Sequence, residues 1–178
     1  MKKRLLILTS FLMLVGCAST SSGSTEQRDS KDVPAWALDP PCPEGFICAV
    51  GQGKKQNPSL AKKTAVGRAR SEVSQIISTK VATLFTDFMQ ESGVGDNAQA
   101  LEFTENVTKQ VSNNVLNGST VTKSYPAKDG TVYVLVEYSL DTARQDALGA
   151  IKKEEGLFNE LKARQSLESL EKAIKGLK

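Results

Sequence analysis

The chain has 178 residues, with 23 Lys and Arg against 20 Asp and Glu, three Cys and no His. Three of the basic residues are Lys2, Lys3 and Arg4, so the remaining side-chain charges balance and nothing supports an electrostatic grip on nucleic acid. Without His, a serine or threonine nucleophile lacks its usual base, and three Cys are a thin metal set, which argues against both chemistries.

The opening follows the plan of a secretory leader. Lys2, Lys3 and Arg4 precede an apolar run over residues 5–15, broken only by Thr9 and Ser10. That run is too short to span a bilayer stably. It ends in Leu14-Val15-Gly16-Cys17, the pattern of a lipobox: an aliphatic residue, a small one, glycine, then a thiol that accepts a diacylglyceryl group. The expectation is a signal peptide over residues 1–16 and lipidation at Cys17, with more than one acyl chain, since one alone binds marginally. Ala18 and Ser19 follow, not the aspartate that retains lipoproteins at an inner membrane. An outer-membrane lipoprotein is expected, with its domain in the periplasm or at the cell surface. Residues 18–32 are rich in Ser, Thr and Gly and read as a flexible tether.

Residues 46–50 read as a short strand, closed by Gly51-Gln52-Gly53. Asn57 and Pro58 suit an N-cap and first position of a helix reaching about Gln90. Its buried face is marked by Ala65, Ala69, Val73, Ile76, Ile77, Val81, Leu84 and Phe88. Gly93 and Gly95 break it, and Asp96 with Gln99 resembles a capping box for a second helix. Ala100, Phe103, Val107, Val111 and Val115 give that helix its apolar side, and Asn117-Gly118 ends it. A hairpin follows, with Asp129-Gly130 at its turn. Val121, Lys123 and Tyr125 are expected on one side of its first strand, and Val132, Val134, Val136 and Tyr138 on one face of its second. Asp141 reads as the cap of a third helix, interrupted at Gly156. Leu157, Leu161, Leu167, Leu170, Ile174 and Leu177 mark a last amphipathic segment. The order is β-α-α-β-β-α-α, an α+β fold with long helices packed on one face of a small, mostly antiparallel three-stranded sheet.

This pattern resembles the LPP20 family of bacterial lipoproteins. The lipidated cysteine with a polar tether, Pro34-Ala35-Trp36, the strand ending in Gly51-Gln52-Gly53 and the run Ala65-Val66-Gly67-Arg68-Ala69-Arg70 carry the likeness over residues 33–140. Cys42 and Cys48 depart from it. The resemblance implies one domain over residues 33–178 and an envelope lipoprotein with no known reaction. Some relatives are surface antigens, and others build rings or disks around the flagellum at the outer membrane.

Three candidate sites need weighing. Gly51-x-Gly53 before a helix suggests a phosphate loop, with Lys54, Lys55, Lys62 or Lys63 nearby, but the third glycine and the Gly-Lys-Ser/Thr signature are missing. Glycines permitting a turn are the simpler reading, and no nucleotide is expected. Cys42 and Cys48 are close in sequence and expected to pair in an oxidising compartment. Trp36 reads as an anchor docking the tether, and Arg68, Arg70 and Glu72 as a solvated face. No catalytic residue, metal or cofactor is expected. The function expected is non-enzymatic assembly or structural binding, with self-association or another envelope protein as partner. A small-ligand or glycan carrier is the alternative. The seam of Leu167, Leu170, Ile174 and Leu177 is expected to meet another protein chain or a second copy, with the domain's own sheet or first helix as the alternative.

Overall fold

The computed structural model describes residues 32–93, 98–154, 156, 159, 161 and 166–177. A single helical turn, α1 (Ala35–Leu38), leads into β1 (Phe46–Lys54). The long helices α2 (Pro58–Glu91) and α3 (Ala98–Gly118) follow. The hairpin β2 (Thr120–Pro126) and β3 (Thr131–Ser139) comes next, then α4 (Leu140–Ile151) and α5 (Leu167–Lys175). Cys17, Gly95, Asp96 and Leu157 lie outside the described residues.

The sheet is antiparallel in the order β1-β3-β2. β1 runs against β3 without a break, from Phe46 opposite Ser139 to Lys54 opposite Thr131. This places Val132, Val134, Val136 and Tyr138 on one buried face with Ala49, Gly51 and Gly53. β2 shifts register between Val121 and Lys123. Val121 then pairs with Val136 and Lys123 with Leu135, so the two β2 residues point to opposite faces. The expected alternation of Val121, Lys123 and Tyr125 fails because Thr122 is an extra residue in the strand, a bulge. At the turn, Gly130 takes φ 83°, and its N–H donates to the Ala127 carbonyl at 3.1 Å.

α2 lies on the sheet, and its closest contact explains the glycines. A Cβ built on Gly51 would sit 2.0 Å from the Ala65 carbonyl oxygen and 2.6 Å from the Ala69 nitrogen. One on Gly53 would sit 2.3 Å from the Ala61 oxygen and 2.8 Å from the Ala65 nitrogen. The glycines therefore do not close the strand with a turn. They are inside β1, and their bareness lets the helix backbone settle on the strand backbone, with Ala61, Ala65 and Ala69 completing the seam.

α3 packs antiparallel on α2. Phe85 meets Phe103 edge to face, with ring centroids 5.5 Å apart. Ser78 and Ser112 share a hydrogen bond of 2.5 Å, and Ser74 Oγ donates to the Ser112 carbonyl at 3.3 Å, so small polar residues hold the helices close where no large side chain fits. Ser139, not Asp141, caps α4: its hydroxyl accepts from the Thr142 N–H at 3.5 Å, and Asp141 instead pairs with Arg144 inside the first turn. α4 ends at Ile151, ahead of Gly156, which is itself helical. α5 folds back on α2 and α4. Leu170 and Ile174 are fully buried there, Leu177 nearly so, and Arg144 donates to the Leu177 carbonyl. The C-terminal seam thus belongs to this domain's own core rather than to a second chain.

Candidate functional site

The corner where the described chain begins is tied to the hairpin turn. Asp32 Oδ1 accepts from the Tyr125 hydroxyl at 3.2 Å, and Oδ2 accepts from the Lys128 backbone N–H. The carboxylate raises the Tyr125 pKa, because ionising the phenol would cost the hydrogen bond and set two negative charges together. Next to it, Lys54 Nζ and Thr131 hold Asp129, the lysine at 2.8 Å, and lower its carboxyl to about 2. From there α1 lies against β3, with Trp36 half-buried, as expected of a docking residue. Cys42 and Cys48 are joined in a disulfide, their α-carbons 5.6 Å apart, which ties the loop after α1 to the start of β1.

The phosphate-loop geometry is not built. α2 covers Gly51 and Gly53, and the Asn57 side chain accepts from the first free amides of the helix, Ser59 at 2.8 Å and Leu60 at 3.3 Å. Arg68 does not stand free in solvent: its guanidinium donates to the Gln52 carbonyl at 2.9 Å. Arg70 is half-buried, not solvated, and donates to the Ser119 carbonyl at 3.2 Å.

Two surface features were missed in reading the sequence. The first is charge segregation. Residues 45–71 hold six Lys and Arg and no acidic residue, while residues 81–108 hold five Asp and Glu and no basic one. A 34-residue helix is about 51 Å long, and α2 carries these stretches to opposite ends of the domain. Lys54, Lys55, Lys62, Lys63 and Lys128 are exposed at the hairpin end, and Asp87, Glu91, Glu102 and Glu105 at the other. Counting charge along the chain reveals this, whereas the balanced total hides it. The second is an open groove of about 470 Å³ between the C-terminal half of α2 and α5. Leu84, Phe88 and Leu177 line its floor, with Lys80, Asp87 and Glu91 at its sides. It depends on how α5 folds back, which no local pattern states.

The LPP20 lipoprotein family matches residues 34–139, from the start of α1 to the end of β3. The chain belongs to that family. As an LPP20 lipoprotein it is a membrane-anchored protein of the cell envelope. The family stretch holds the Pro34-x-Trp36 dock, the glycine seam and the whole sheet; α4 and α5 lie beyond it. No curated protein and no solved structure matches the chain. Among the described residues no helix is long and apolar enough to cross a membrane. None of their His, Cys, Asp or Glu cluster to hold a metal ion.

Proposed function

We propose that this LPP20 lipoprotein catalyses no reaction and acts by assembly or structural binding at the outer membrane. Its partner is a second copy or another envelope protein, in a flagellum-associated or surface-antigen role such as the family resemblance implies. The groove between α2 and α5 carries the reading. It sets half-buried Leu84 and the outer edges of the nearly buried Phe88 and Leu177 between charged flanks, an arrangement with an apolar centre and a polar rim. Its floor is built on rigid helices, which suits recognition without rearrangement.

A second reading, capture of a small apolar ligand, draws on the same groove, whose volume of about 470 Å³ falls in the range of small-molecule sites. Thr83→Arg separates the two, because Thr83 is exposed and its replacement fills the groove without touching the core. For assembly, light scattering of the acylated protein in detergent should show an oligomer that the variant lacks. A monomer in both forms, with a small molecule released from the wild type alone, would favour the ligand reading. A monomer in both with nothing released, and no other envelope protein cross-linked in the native envelope by the wild type but not by the variant, would refute both.

A further inference from the structure

We propose that the hairpin end of the domain is its membrane face, resting on anionic lipid headgroups through Lys55, Lys62, Lys63 and Lys128. The inference builds on the reading of the chain as lipid-anchored at Cys17.

Two independent observations carry it. The first is where the tether meets the domain. Asp32, the first described residue, is bonded to Tyr125 and to the Lys128 amide, so any pull from an upstream anchor acts at the β2–β3 turn. Fourteen residues lie between Cys17 and Asp32. If that stretch is the tether its composition suggests, a flexible chain of that length would span on the order of 20 Å and keep this corner near the lipid surface. The far end of α2 lies about 51 Å further along the helix.

The second is the charge at that corner. β1 ends here at Lys54, opposite Thr131, and α2 begins a few residues later with Ala61 over Gly53, so Lys55, Lys62 and Lys63 lie toward the same end of the sheet as the turn that carries Lys128. Lys54 pairs with Asp129. Lys55, Lys62, Lys63 and Lys128 form no ion pair among the described residues. Among the described residues the opposing carboxylates at the turn are Asp32 and Asp129, both held by hydrogen bonds. The acidic end, with Asp87, Glu91, Glu102 and Glu105, is repelled by the same surface. An anionic bilayer therefore attracts one end, repels the other, and acts on a domain already leashed by the attracted end. Screening confines the effect to about 10 Å at 0.1 M salt, a gap the tether allows. Each lysine near such a surface favours contact about fivefold.

The test uses the full acylated protein in vesicles of phosphatidylcholine alone or mixed with phosphatidylglycerol. Flotation comes first. Failure to float with neutral vesicles would refute the lipid anchor itself, and this inference with it. Brief amine acetylation, read residue by residue by mass spectrometry, follows. In the anionic vesicles Lys55, Lys62, Lys63 and Lys128 should react at least about tenfold more slowly than in neutral ones. Lys152 and Lys175 should be unchanged, and high salt should abolish the difference. A Lys55→Gln, Lys62→Gln, Lys63→Gln variant should still float, yet lose the protection of Lys128. Equal rates in both vesicle types would overturn the inference. Protection that ignores lipid charge but grows with protein density would overturn it too, because the lysines would then face the acidic end of another copy.

Discussion

Gly51 and Gly67 stand sixteen residues apart in one glycine- and alanine-rich stretch, and they have opposite needs. Gly51→Ala drives a methyl group to 2.0 Å from the Ala65 oxygen, with backbone on both sides and nowhere to yield. Overpacking of this kind should lower stability by about 3 kcal/mol, read as a shift of the denaturation midpoint. Gly67 is exposed on α2, and a Cβ there meets nothing within 4 Å. Gly67→Ala should raise stability by about 0.5–1 kcal/mol in the same assay, since it removes only unfolded-state freedom. Two titrations add a pH signature. Asp129, lowered to about 2 by Lys54 and Thr131, stabilises the fold while ionised. That contribution is complete above the ordinary carboxyl value of 3.8 and is lost as pH falls towards 2, so Asp129→Asn should flatten the acid limb of a stability profile. Tyr138 is raised, first by burial and then by the Asp146 carboxylate that accepts its hydroxyl. Its contribution is complete below pH 10 and fades above it, so Tyr138→Phe should be less sensitive to alkali.

Among the elements, those with long apolar periodicity were legible in the sequence. α2 begins at Asn57 and Pro58 as their chemistry requires, and every apolar position read on α3 is buried. What escaped reading depends on partners distant in sequence. The β2 bulge shows only against β3, and the purpose of Gly51 and Gly53 shows only when Ala61, Ala65 and Ala69 arrive from α2. Phe85 takes its role from an edge-to-face contact with Phe103 on the next helix, which the local pattern of α2 does not state. α5 depends on distant partners too. Its spacing fits a seam between chains as well as a stripe for its own core, and only the fold chooses. Deleting everything after Gly156 should therefore destroy cooperative melting rather than leave a smaller folded domain, and Leu170→Ala should cost about 2–5 kcal/mol. The disulfide closes a short loop, with a separation of six residues, so reducing it or replacing Cys42 and Cys48 by Ser should cost about 2 kcal/mol and lower the melting temperature without changing helicity.

At the scale of the molecule, the domain is a helical arm on a small sheet, with a basic end where the chain enters and an acidic end beside an open groove. The sequence states the charge blocks plainly but not that α2 separates them in space. On the proposed reading a lipid anchor gives that polarity its meaning, since it would set which end meets the bilayer and which end is left for a partner. The anchor is therefore the claim on which the rest depends, and the intact mass of the protein extracted from its native envelope tests it most directly. The account predicts a chain that starts at Cys17 and is heavier than its peptide by a diacylglyceryl group and an amide-linked acyl chain. It also predicts that Cys17→Ser leaves residues 1–16 attached and adds no lipid mass. A wild-type chain cleaved elsewhere, or one carrying no lipid, would contradict the account.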